Sequence, residues 1–208
     1  MPPDALTRQQ HIRRGIGLEY LTIGWNVVEC LVAVAAGVIA GSVALVGFGV
    51  DSAIESVSGS VLLWRLHAER SGRQVETLER TALKMVGGSF FLLAAYVAYD
   101  SAVTLIQRKE PDRSFIGIVL AIVSLIVMPL LARAKRKAAA NLNSAALQAD
   151  SRQTSLCAYL SAILIGGLVL NAVLGWWWAD PVAALVMVPI ITNEGREAIK
   201  GEGCPDCH

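Results

Sequence analysis

Six apolar stretches follow one another along this chain, each long enough to cross a lipid bilayer as a helix. They run Gly15–Ile39, Val43–Leu66, Leu83–Ile106, Phe115–Leu131, Ala146–Leu174 and Trp176–Ile191, the fourth and sixth being the shortest. A helix needs about 20 residues to cross a hydrocarbon layer of about 30 Å. In lipid only helices and closed barrels satisfy their own backbone groups, and these stretches are too long for the roughly ten-residue alternating strands of a barrel. The chain of 208 residues is 54% hydrophobic and 17% charged, where soluble domains run at about 45–50% and about 25%. Its mean hydropathy is +0.53. So much apolar surface in so short a chain has no burial open to it but lipid. The fold class that follows is an all-α membrane protein, a bundle of six transmembrane helices.

Short polar segments join the stretches: a turn at Ala40-Gly41-Ser42, a polar loop from His67 to Arg80, a charged loop from Gln107 to Ser114, a basic loop from Arg133 to Lys137 and a turn near Gly175. With six spans both termini share one side. That side collects fourteen of the eighteen Lys and Arg residues, among them Arg13, Arg14, Arg65, Arg73, Lys135 and Lys137. The other side holds Arg108, Lys109 and Arg113, and Arg152 lies at the start of the fifth span. Cytoplasmic loops carry the excess of Lys and Arg, which puts both termini in the cytoplasm and makes this a multi-pass protein of the inner cell membrane. The chain then divides into a cytoplasmic segment 1–14, a transmembrane domain 15–196 and a short cytoplasmic tail 197–208. Trp176, Trp177 and Trp178 mark a membrane interface, as aromatic belts do.

Several function classes are excluded at this level. Arg8, Arg13 and Arg14 ahead of a run containing Ala33-Val34-Ala35 have the outline of a signal peptide, but Glu19, Asn26 and Glu29 interrupt the run. A cleavable apolar core is short and unbroken, so the run reads as a first span. A net charge of +1 argues against binding nucleic acid, which draws on a clustered basic excess. Cys30 and Cys157 sit in apolar stretches and Cys204 and Cys207 in the tail, so no disulfide framework of the secreted kind is implied. No nucleophile–base pair or H-E-x-x-H-type motif stands out; no enzyme is expected and no cofactor is called for.

Ionisable residues at membrane depth point to function by default. Asp51 and Glu55, in Val50-Asp51-Ser52-Ala53-Ile54-Glu55, stand one helical turn apart on one face. Two desolvated carboxylates so close repel, and a divalent cation with hard oxygen ligands relieves both the repulsion and the lost water. A proton pathway, or carboxylates reaching water at a helix end, are the other readings of this pair. In the fifth span Asp150, Gln153 and Cys157 recur at three and four residues and share a face. A carboxylate, an amide and a thiol together suit a borderline cation such as Zn²⁺, although a buried cysteine by itself is more often a small hydrophobe. Arg152 is expected at the cytoplasmic boundary or on a carboxylate of a neighbouring helix. Ser52, Ser56 and Ser60, with Gly47, Gly49 and Gly59, read as a small-residue packing face. Asn26, Glu29 and Asp100 read as interhelical hydrogen-bond partners or as the lining of a water cavity.

The tail ends Cys204-Pro205-Asp206-Cys207-His208, a C-x-x-C-H pattern. Covalent haem attachment needs an exported segment, against the charge count that puts this tail in the cytoplasm. Two thiols and an imidazole also suit transient capture of a soft or borderline metal, and a disordered end without a role is the plain alternative.

Taken together, Gly41-Ser42-Val43-Ala44-Leu45 leading to Asp51-Ser52-Ala53-Ile54-Glu55, Ala149-Asp150 opening the fifth span and Trp178-Ala179-Asp180-Pro181 opening the sixth resemble the cation diffusion facilitator, or cation efflux, family. The likeness runs from about residue 15 to 196. It implies a homodimeric six-helix exporter of Zn²⁺ or a related divalent ion, driven by inward proton flow and working by alternating access. The family's transport site carries an acidic pair on the second helix and a His or Asp pair four residues apart on the fifth. By position these fall on Asp51 and Glu55 and on Gln153 and Cys157, with Asp150 alongside. Gln153 and Cys157 depart from that pattern, which opens a second reading as a non-transporting metal-binding or regulatory membrane subunit. The resemblance also implies a membrane-only member, the usual cytoplasmic domain of ferredoxin-like type being replaced by the cysteine tail.

Overall fold

The computed structural model describes residues 3–40, 43–71, 75–108 and 115–200, and among them every regular element is a helix. The six helices are α1 (Pro3–Ala40), α2 (Val43–Arg70), α3 (Val75–Gln107), α4 (Phe115–Leu142), α5 (Ala145–Leu174) and α6 (Ala179–Lys200). The residues Gly41 and Ser42, the loop residues 109–114 and the whole Cys204–His208 tail fall outside the described residues. Four helices, α1 to α4, hold segments long and apolar enough to cross a membrane. In α5 the first third carries Asp150, Arg152, Gln153 and Thr154, and in α6 Glu194, Arg196, Glu197 and Lys200 crowd the end.

All six expected helices are found, and most run longer than the apolar stretches that announced them. The polar segment 67–80 is largely helical, because α2 continues to Arg70 and α3 begins at Val75. The expected basic loop at Arg133–Lys137 is a correction: α4 passes straight through it to Leu142. Ala, Lys and Arg are strong helix formers, so the end of the apolar stretch was not the end of the helix. The chain turns instead at Asn143, which takes a left-handed φ of 51°, a conformation asparagine tolerates. Ser144 then starts α5, its hydroxyl accepting the Leu147 amide at 3.1 Å, as an N-cap serine does. Gly175, with φ 68°, closes α5 in the manner of a left-handed helix cap.

The bundle is apolar outside and polar within. On α1 the large residues Tyr20, Leu21, Leu31, Val38 and Ile39 are exposed, whereas Glu19, Thr22, Asn26 and Glu29 are fully buried. This inverts the pattern of a soluble amphipathic helix and suits a helix facing lipid. Helix α1 packs on α2, α3 on α6 and α4 on α5, and α2 and α5 also meet each other in the middle. At one end Arg65 ties these layers together. It is 1% exposed and donates to Glu69 and, at 2.6 Å, to Glu79. Arg8 reaches Glu69 at 2.9 Å, and Glu79 also accepts the Ala146 amide that opens α5. Arg152 donates to Glu194 and Glu197 on α6, the neighbouring-helix partner its position suggested. At the other end the Trp176 and Trp178 rings stack with centroids 5.4 Å apart.

Helices α3 and α6 touch backbone to backbone. A Cβ placed on Gly87 would lie 2.5 Å from Ile199 and 3.1 Å from the Gly195 carbonyl, and one on Gly195 would lie 2.9 Å from Phe90. Gly87→Val or Gly195→Val should therefore destabilise the bundle by about 1–3 kcal/mol through overpacking. The control is Gly88→Ala, where nothing lies within 4 Å; it should stay within about 1 kcal/mol of the parent. Thermal unfolding in detergent, followed by circular dichroism, measures both.

Candidate cation site

The polar stripes of α1, α2 and α5 meet in the interior. Asp51 and Glu55 point inward from α2 with 4% and 1% exposure, because the 3.6-residue period puts them on the face that also carries Ser52 and Ser58. Asp51 Oδ2 and both Glu55 oxygens have no hydrogen-bond partner among the described residues. Buried polar groups are nearly always paired, and leaving a charged one unpaired costs at least about 1–3 kcal/mol. The Cys157 thiol of α5, 1% exposed, lies against both carboxylates.

The structure adds two groups from α1. Glu29 accepts the Ser52 hydroxyl at 2.8 Å through Oε2, while its Oε1 is buried and unpartnered. Its charge also bears on Asp51, Glu55 and Cys157. Asn26, one turn away, is fully buried with both amide atoms unpartnered. Glu29 is thus a hydrogen-bond partner as expected, but it is also a third carboxylate beside the pair. Ser52 does more than allow close packing, since it holds Glu29.

The remaining two expected ligands face other partners. Gln153 is buried, yet its amide oxygen accepts the Ser89 hydroxyl of α3 at 3.0 Å. Asp150 accepts Ser58 at 2.8 Å through one oxygen and Lys135 at 2.5 Å through the other. Seven residues, about 10 Å of helix rise, separate it from Cys157. Among the described residues no three His, Cys, Asp or Glu side chains converge tightly enough to enclose an ion. The acids are spread through the interior in this conformation.

Asp51 also borders open space. A cavity of about 70 Å³ is lined by Asp51, Tyr96, Asp100, Ser101, Thr104 and Pro181. A water needs about 10–15 Å³ on this measure, so the space suits several. Asp100 lines this cavity, as its position suggested. The lining residues come from the first part of α2 and α6, the last part of α3 and the middle of α5, away from the Arg65 network.

Lys135, expected among the cytoplasmic charges, turns inward instead, and Glu19 meets it there. Both are fully buried and their charges lie 3.0 Å apart. A signal was present: Met128, Leu131, Lys135, Ala138 and Leu142 share one helical stripe, all buried, while Arg133, Arg136 and Lys137 face out.

An apolar exterior around interior carboxylates defines the class, a helical membrane protein with acid groups in its core. The chain belongs to the cation efflux family: the cation efflux transmembrane domain matches residues 20–201. A protein of Synechocystis sp. described as an uncharacterized transporter is 28% identical over 171 residues, 79% of this chain and 55% of its own length. The cation-efflux pump FieF of Shewanella oneidensis is 29% identical over 107 residues, 51% of this chain and 34% of its own. The chain thus spans about half the length of the first relative and about a third of the second.

Unpaired acids and paired acids should respond oppositely to neutralisation. Glu55→Gln removes a desolvated charge and should raise the thermal midpoint of the metal-free protein, as substitutions at strained functional sites do. Asp150→Asn leaves the buried Lys135 with Glu19 as its remaining carboxylate contact and should lower stability by up to about 3–5 kcal/mol. Unfolding followed by tryptophan fluorescence in a chelator-treated sample reads both directions.

Proposed function

We propose that this protein exports a divalent metal cation, with Zn²⁺ the preferred cargo, in exchange for protons, as a carrier and not an enzyme. The observation that carries the reading is the Asp51–Glu55 pair, buried one turn apart beside the Cys157 thiol, with Asp51 Oδ2 and both Glu55 oxygens lacking a hydrogen-bond partner among the described residues. The cargo site consists of Asp51, Glu55 and Cys157, with Glu29 beside it and with Asp150 and Gln153 turned to other partners until the helices rearrange. Thiolate and carboxylate together favour Zn²⁺ or Cd²⁺ over the all-oxygen ions. The bundle crosses the inner membrane six times, both termini lie in the cytoplasm, and two chains pair as a homodimer in lipid. Residues 1–14 and 197–208 flank the transport domain 15–196. Cys204, Cys207 and His208 offer a capture site for the same metal on the cytoplasmic side.

Energetics set the exchange. Moving one charge against an inside-negative potential costs about 2.3 kcal/mol per 100 mV, and a divalent ion about twice that. Two entering protons recover the electrical work. Metal needs deprotonated carboxylates and thiol, so each binding event releases protons and each protonation releases metal. The cavity from Asp51 past Asp100 supports an outward half-path for both, and the Arg65 network lies across the opposite end. Alternating access then consists of rocking α1 and α4 relative to the α2–α5 centre.

One observation favours a second reading, a non-transporting metal-binding or regulatory subunit: the Gln153 oxygen is committed to Ser89 and leaves the fifth-helix half of the site with a thiol alone. Flux into proteoliposomes separates the two. Under an opposed proton gradient the parent should accumulate Zn²⁺, and Asp51→Asn should lose at least about tenfold in rate. A parent that binds Zn²⁺ without flux supports the second reading. In the same assay Cys157→Asp, which makes the site all-oxygen, should move the preference toward Mn²⁺. An unchanged selectivity order would show that Cys157 only packs.

A further inference from the structure

Lys135 is buried to 0% exposure while Arg133, Arg136 and Lys137 beside it face outward. An ammonium at the inner edge of a membrane span ordinarily snorkels to the interface. Here it turns into the bundle, toward acids from three other helices. Nζ lies 2.5 Å from Asp150 on α5 and 3.0 Å from Glu19 on α1. It also reaches the Thr154 hydroxyl at 3.4 Å, and Glu55 of α2 is the next carboxylate within its electrostatic reach.

The two contacts are not equivalent. Asp150 is fixed from both sides, by Ser58 at 2.8 Å and by the ammonium. Glu19 pairs with Nζ by proximity, without an aligned hydrogen bond on either of its oxygens. Thr154, which touches Lys135, is also the α5 hydroxyl beside Glu55. A four-carbon stem with three rotatable donors can move its charge by several ångströms about such a set of acceptors, which the rigid fork of arginine cannot.

We propose that the Lys135 ammonium is a tethered counter-cation for the cation path. It rests on Glu19 and Asp150 while its charge bears on Glu55, so a divalent ion arriving at Glu55 meets a competing positive charge. This rests on the cation-exchange reading and deepens it, because it assigns the site an internal competitor. Competition lowers the resting affinity for cargo and speeds its release, since the leaving ion is replaced by a charge already in place. Asp150 is then the anchor of that charge in this conformation.

The test is equilibrium binding of Cd²⁺ or Zn²⁺ to the purified full chain at constant pH, together with proteoliposome flux. Lys135→Met should tighten binding by at least about tenfold, the size expected for removing a unit charge near a divalent ion at a partly buried separation, and should lower the maximal flux. Lys135→Arg should restore the affinity to within about threefold of the parent but not the flux. A folded Lys135→Met protein with equal or weaker affinity overturns the proposal. Should that variant fail to fold, Glu19→Gln decides the matter: it keeps the ammonium but removes its looser partner, so affinity should fall by several-fold, and an unchanged value overturns the idea. A parent chain that binds neither ion would sink the cation-exchange reading itself, whereas binding that Asp51→Asn abolishes and Lys135→Met does not tighten would sink only this inference.

Discussion

A carboxylate inside a lipid-facing bundle must be met by a proton, a cation or a dense set of hydrogen bonds. Among the described residues six such groups are buried, Glu19, Glu29, Asp51, Glu55, Glu69 and Asp150, against two cations, Arg65 and Lys135. The imbalance organises the rest of the structure. Helices α2 and α5 meet with Asp51, Glu55 and Asp150 between them, and α1 and α4 close on them with the stripes that hold Glu19, Glu29 and Lys135. Where partners are available the acids take them, as Asp150 takes Ser58 and Lys135. Where they are not, at Asp51 and Glu55, the fold keeps a deficit that a cation or protons must fill.

That deficit connects stability to function. Replacing the unpaired acids with apolar residues of similar size would give a more stable bundle, by the same logic that makes buried ion pairs poor contributors to stability. Their presence one turn apart on one helix face costs folding energy, which a divalent ion would recover under the proposed function. The end bearing Arg65, Glu69 and Glu79 is treated differently. There each charge has an opposite partner on the same or a neighbouring element, and the network fastens α1, α2, α3 and the start of α5 without leaving an unmet charge.

Much of this was legible along the chain. Periodicity and length located all six helices, because a membrane helix must be apolar over its whole crossing and must satisfy its own backbone. The helix spacing of Asp51 and Glu55 announced an acidic pair on one face, and their burial followed from the apolar residues around them. The extent of α4 was misjudged because a run of Arg and Lys looks like a loop when only hydropathy is considered; helix propensity kept it helical. Lys135 was counted among the cytoplasmic charges for the same reason, although its place on the Met128–Leu142 stripe marked it as inward.

The sequence by itself determined the all-helical membrane class, the six helices and the shared faces of Asp51 with Glu55 and of Gln153 with Cys157, since these depend on local periodicity and on transfer from water to lipid. Only the tertiary structure decided which acids remain unpaired. Gln153 and Cys157 stand on the same face of α5 by spacing, yet one bonds Ser89 of α3 and the other lies against Asp51 and Glu55. Asp150 met a lysine fifteen residues earlier in the chain, and Glu29 joined the pair from a helix away. Such pairings depend on how helices cross and rotate against one another. That is settled by packing across the whole bundle, which no window of the sequence contains.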